Sequence, residues 1–227
     1  MSPRNQKVSL CADGRLAAYA TLAGVALAAP AIPSANAVII WSGPININIP
    51  STTAGVYINF VTGATGITPG AVPGWDLNPW GSGGLFIWGN NAASPNDGVL
   101  SNFTGGSSGT LVDNIPVGTI IDSSWTYGRT NGVETTGSTA FVLNSNQNIA
   151  GFRFLNEMTG QYDFGWARIS LSGTYAGQPR AIVEYAYENA GAPIAAGAVP
   201  EPSTFALLGV MAAGALGVRA WRKRKAA

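Results

Sequence analysis

The run Gln147-Asn-Ile-Ala-Gly-Phe-Arg-Phe-Leu-Asn-Glu-Met-Thr-Gly-Gln-Tyr-Asp-Phe-Gly-Trp-Ala-Arg-Ile-Ser-Leu171 places bulky rings at every second position. Phe152 and Phe154 lie two apart, as do Tyr162, Phe164 and Trp166. In an extended chain successive side chains point to opposite faces, so each set lines one face of a strand. The turn formers from Asn156 to Gly160 separate the sets, which predicts an antiparallel pair joined by a loop. Through Arg168-Ile169-Ser170-Leu171 the apolar positions change parity. A bulge or a second buried face accounts for that.

The same texture extends outward in both directions. Apolar and β-branched runs recur at 38–41, 45–49, 56–61, 85–88, 119–121, 139–143 and 181–187, separated by Gly, Pro, Asn and Ser turns. No sustained helical period or fixed repeat interrupts them. Short strands with Gly-rich turns predict an all-β body, a single β-sandwich of jelly-roll-like kind over residues 38–189. Residues 62–84 and 90–109 read as long surface loops, the second with a short strand near 99–103. Residues 190–198, built from Ala, Gly, Pro, Ile and little else, read as a linker.

Charge is segregated along the 227 residues. Arg4, Lys7 and Arg15 stand at the start, and Arg219, Arg222, Lys223, Arg224 and Lys225 at the end. Between residues 38 and 199 only Arg129, Arg153, Arg168 and Arg180 face nine acids, a net −5 with no lysine. Such a body is unsuited to nucleic acid, whose binding needs clustered basic side chains. The chain has no histidine and one cysteine, Cys11. Ser-His-Asp and Cys-His catalysis, His-ligated metals and intrachain disulfides are therefore excluded.

The first 37 residues have the order of a secretory signal peptide: a basic start, an uncharged apolar stretch over 16–29, Pro30 and Pro33, then Ala35-Asn36-Ala37. Fourteen apolar residues reach about 21 Å, short of a roughly 30 Å bilayer core. Cleavage is expected between Ala37 and Val38 by signal peptidase after Sec-type export. Cys11 would leave with the peptide.

At the other end Val199-Pro200-Glu201-Pro202 precedes an uncharged stretch from Ser203 to Val218, about 24 Å as a helix. Arg219 and Trp221 can extend that span to the headgroups, and the basic run Arg222-Lys223-Arg224-Lys225 holds its end in the cytoplasm. This order, over residues 199–227, resembles the tail of PEP-CTERM proteins. The tail is also similar to what is described as the C-terminal domain of ice-binding proteins. Isolated pairs such as Thr52-Thr53 and Thr135-Thr136 do not supply the regular arrays that ice binding needs. The segments 165–173 and 184–189 look like the closing strands of many PEP-CTERM bodies. The resemblance implies an exosortase that processes the tail, and a membrane-anchored precursor. It further implies delivery to the surface or exopolysaccharide matrix of a Gram-negative-type bacterium. Two prolines around Glu201 would keep the motif extended, with one carboxylate to be read.

Candidate chemistry in the body is limited to oxygen ligands and aromatic faces. Glycoside hydrolysis needs two carboxylates about 5–10 Å apart. Of Glu157, Asp163, Glu184 and Glu188, the last two share a strand face but stand about 13 Å apart, reading as solvent-facing charges. Calcium could use Asp76, Asn90, Asn91, Asn96 and Asp97, although the EF-hand spacing is missing; no resident cofactor or metal is expected. Trp75 and Trp80, with Asn78 between them and Asn90 and Asn91 nearby, form a candidate glycan contact, whereas Trp88 reads as core. The resulting expectation is a non-catalytic surface or matrix protein whose tail is a sorting and anchoring signal. A carbohydrate-binding module is the second reading, and a glycan-active hydrolase the third.

Overall fold

The computed structural model describes residues 37–90, 98–100, 111–128 and 130–200. Met1–Asn36 lies outside the described residues. The strands are β1 (Ile39–Trp41), β2 (Ile47–Asn48), β3 (Tyr57–Ile58), β4 (Thr65–Gly66), β5 (Leu77–Trp80), β6 (Phe86–Gly89), β7 (Gly98–Leu100), β8 (Leu111–Val112), β9 (Ile120–Ile121), β10 (Tyr127–Gly128), β11 (Thr130–Val133), β12 (Ser145–Asn156), β13 (Gln161–Leu171), β14 (Ala181–Glu188) and β15 (Ile194–Ala195). A single 3-10 turn, Pro69–Ala71, is the one helical element among the described residues. The body is all-β.

Residues 147–171 supply most of β12 and all of β13, paired antiparallel from Asn156↔Gln161 back to Ser145↔Leu171. They centre a sheet in the order β1-β14-β13-β12-β7-β10, with β2 also on β14. A second sheet runs β4-β3-β5-β6-β11-β8, and β15 and β9 form a small third. Phe152, Phe154, Ala167 and Ile169 of the first sheet share one core with Ile58, Leu77, Ile87 and Val133 of the second. Phe60 stacks on Phe152 at 4.1 Å and tilts against Tyr185 at 4.7 Å, joining the layers.

The parity change on β13 comes from a second buried face. On β13, Ala167, Ile169 and Leu171 face the shared core while Phe164 and Trp166 face a second cluster, so both faces are buried. The bulge itself is on the neighbouring strand. Arg168 pairs with Glu184 and Ile169 with Ile182, so Val183 is the extra residue. Consequently β14 turns Ile182 inward on an even number, and Tyr185 and Tyr187 inward on odd ones.

Three expectations need correction. Residues 62–84 are a surface loop only in part: 62–71 are almost all exposed, but β5 runs through 77–80, and Val72 and Leu77 are fully buried. Residues 139–143 form no strand, yet Phe141 plugs the core and its amide donates to the carbonyl of Glu134. Residues 190–198 are no linker, since they hold β15 and bury Ile194 and Ala196. Apolar side chains spaced by Gly and Pro satisfy both a linker composition and a strand laid on a waiting apolar face.

The two layers meet closely where β6 passes to β7. A Cβ on Gly89 would fall 2.1 Å from the Gly98 Cα, so only glycine permits this approach. Elsewhere the loops are tied by Arg180, which is 1% exposed. Its guanidinium donates to the carbonyls of Ile49, Pro50, Gly81, Gly84 and Tyr175 at 2.6–3.0 Å. Burial pushes its pKa below the usual arginine value.

Candidate functional site

The two processing junctions read from the sequence are 161 positions apart yet share one place. Ala37, Val38 and Ile39 line an apolar depression of about 400 Å³ together with Ala198, Val199 and Pro200. Val38 is fixed there by edge pairing. Its amide donates to Asn189 Oδ1 at 3.1 Å, and its carbonyl accepts from the Asn189 amide. The C-terminal side is fixed by Trp166, whose indole Nε1 donates to the Ala198 carbonyl at 3.1 Å. Val38 and Val199 remain 44% and 41% exposed beside these anchors.

A second feature lies on the outer face of the second sheet. The register pairs Asn78↔Trp88 and Trp80↔Phe86 put those four residues on one face, opposite Leu77 and Ile87. Trp80 stacks on the exposed Phe86 ring at 4.8 Å. Trp75 meets Tyr57 and Trp88 edge-on at 5.0 and 5.7 Å, so it lies on the same face. Trp75 and Trp80 are both half-buried, and Trp88 joins them there instead of entering the core, which Leu85 and Ile87 occupy. The described amides bond to the main chain. Asn78 Nδ2 donates to the carbonyls of Ala54 and Val56, and Asn90 Nδ2 to that of Trp75.

Residues 198–225 match the family described as the PEP-CTERM protein-sorting motif. The chain carries a PEP-CTERM tail. Such a tail marks an exported protein whose precursor is membrane-anchored and handled by an exosortase. No curated protein and no solved structure was found to match the chain. Val199 and Pro200 are the first PEP-CTERM motif residues, at the rim of the depression. Glu201, Pro202, the expected span from Ser203 to Val218, and Arg219, Arg222, Lys223, Arg224 and Lys225 lie outside the described residues. Among the described residues no helix is long and apolar enough to cross a membrane.

In the body ahead of the PEP-CTERM tail each acid considered for catalysis has a structural partner. Glu157 accepts from Asn59 Nδ2 at 2.9 Å. Glu184 accepts from Arg168 Nε at 2.7 Å and from Trp41 Nε1 at 2.9 Å, and Arg168 continues to Gln147. Glu188 is no solvent-facing charge. It is 2% exposed and accepts from the amides of Ala190 and Ala192. Asp163 is fully buried and accepts from Asn156 Nδ2 and the Gly191 amide. Burial raises its pKa, with Glu188 adding to the shift and the two hydrogen bonds opposing it. Of the calcium candidates, Asp76 and Asn90 meet through a backbone hydrogen bond, and the Asp76 carboxylate accepts from the Phe60 amide. Asn91, Asn96 and Asp97 lie outside the described residues, among which no group of three acidic or sulfur ligands occurs. Sequence reasoning missed Trp166, Asp163 and Glu188 as the residues that seat the C-terminal segment. Their spacing carries no motif, because the groups they hold are backbone amides and a carbonyl.

Proposed function

We propose that the protein is a non-catalytic component of the cell surface or exopolysaccharide matrix, exported by a signal peptide and sorted through its tail by an exosortase. The PEP-CTERM match over residues 198–225 carries this reading. The neighbouring positions of Ala37–Ile39 and Ala198–Pro200 support it, because both processing junctions leave the folded body together. The partners of Glu157, Asp163, Glu184 and Glu188 favour the non-catalytic assignment. Each carboxylate is held by a structural hydrogen bond. Intact-mass analysis of the surface form from an exosortase-bearing host tests the sorting. A chain beginning at Val38 and lacking the residues after the motif is expected. Retention of Phe205 to Lys225 would sink the reading.

A second reading has its own observation: Trp75, Trp80, Trp88 and Phe86 share the outer face of one sheet. Ring faces of this kind suit the C–H faces of pyranose sugars, and an exopolysaccharide would be the available ligand. Polysaccharide pull-down should weaken on Trp80→Ala, by about tenfold if one stacking contact of 1–2 kcal/mol is lost. Trp75→Ala should weaken it as well. Equal retention of wild type and both variants would end this reading.

A further inference from the structure

The sorting motif begins where the body ends, with no free spacer. After Asn189 the chain turns beneath two buried carboxylates, Glu188 holding the amides of Ala190 and Ala192 and Asp163 that of Gly191. It then lies along β9, with Ile194↔Ile121 and Ala195↔Ile120 in register. The Ala196 amide donates to Thr119 and its carbonyl accepts from Gly118, at 2.8 and 2.9 Å. Ile194 is 2% exposed and Ala196 1%. Trp166 closes the series on the Ala198 carbonyl. From that carbonyl to Glu201 the chain extends at most about 10 Å.

An enzyme that acts on a peptide takes it as an extended strand, through main-chain hydrogen bonds on both sides of the reacting bond. Upstream of the motif those groups are already used. Ala196 has both its amide and its carbonyl paired, and Ala198 its carbonyl. We propose that residues 190–198 are a strap, latched by Trp166, that positions the sorting motif against the body, and that the exosortase acts on the strap-released form. This inference rests on the sorting reading above. Removing the tail breaks one peptide bond, the acyl carbon passing to water or another nucleophile and the leaving nitrogen taking a proton. The strap does not enter that chemistry. It sets how much upstream chain the enzyme can grip, and release adds eight or nine residues, about 30 Å.

Trp166 is thus a positioning residue, and a reversible lock tests it. In the full-length precursor with Cys11→Ser, the register partners Ile120→Cys and Ala195→Cys introduce the chain's two remaining thiols. Tail removal is followed by pulse-chase in a host with the exosortase. The oxidised lock should slow removal more than tenfold, and reduction should restore the wild-type rate. Trp166→Phe, which keeps an aromatic ring but deletes the indole N–H with part of its volume, should speed removal at least about fivefold, the weight of one such bond. Ile182→Val, in the other core, should leave the rate unchanged. Equal rates for locked, wild-type and Trp166→Phe chains would overturn the strap while leaving sorting intact. So would slowing that reduction does not reverse. A tail retained in every chain, reduced forms included, overturns the sorting reading and the strap with it.

Discussion

Arg180 shows how much one side chain decides in this body. It is buried with no carboxylate partner among the described residues, and all five of its N–H groups go to main-chain carbonyls from three separate segments, 49–50, 81–84 and 175. Arg180→Met would keep the volume and leave those carbonyls unpaired in a site closed to water. A loss of about 3–5 kcal/mol in urea unfolding is expected, with Arg180→Lys recovering part through its three donors. Asp163 acts in the opposite sense with pH. Because burial raises its pKa above 3.8, the folded chain binds that proton more readily than the unfolded chain. Its contribution to stability is therefore present at low pH and lost as pH rises through the folded pKa. Asp163→Asn should flatten this fall in unfolding free energy as pH rises above the ordinary carboxylate value of 3.8. An unchanged slope would mean that another group titrates there. Tyr187, pushed up to about 12 mainly by burial, stays neutral across this range.

The strands separate into those visible in the sequence and those that tertiary contacts create. β12 and β13 are long, ring-bearing and alternating, and their pairing was legible from Phe152, Phe154, Phe164 and Trp166. β14 was legible as a strand, but its bulge at Val183 was not, since apolar residues at 182, 185 and 187 fit several registers. β5 was hidden by Pro79 and two tryptophans, which resemble loop composition until Leu77 is paired with Gly89. β15 was hidden for the same reason. Its two residues need β9 before they form a strand at all. Of the candidate site, the tail was legible through its motif, and Trp75 and Trp80 through their spacing. The seat beneath the tail was not, because it joins Trp166 to a backbone carbonyl 32 positions away. One element contact is sharp enough to test alone. A Cβ on Gly165 would stand 2.4 Å from the Phe152 ring and 2.7 Å from the Ala186 carbonyl. Gly165→Ala should lower the urea midpoint by an amount equivalent to about 2–3 kcal/mol, with the denaturant slope unchanged. A midpoint equal to wild type would show that β12 and β14 yield at this crossing.

At the scale of the molecule, the central sheet is covered on both sides, by the second sheet on one face and by β9, β15 and neighbouring loops on the other. The exported body has no cysteine, so this burial supplies the stability that disulfides give many secreted domains. The C-terminal segment therefore belongs to the fold as well as to sorting. A chain ending at Pro200 keeps Ile194, Ala196 and the Trp166 bond, and should melt with the full body. A chain ending at Asn189 uncovers Trp166, Ile121 and Ala186, takes the Gly191 amide from Asp163 and takes the Ala190 and Ala192 amides from Glu188. Losing one buried isoleucine and several hydrogen bonds costs about 3–5 kcal/mol. At roughly 2–4 °C per kcal/mol for a body of this size, that is a fall of about 10 °C. Thermal scans of the two truncations at equal concentration decide the matter. Equal melting temperatures would return residues 190–198 to the status of a spacer. A large difference would mean that severing the chain upstream of Ala190 releases a weakened body, while cutting beyond Pro200 releases an intact one.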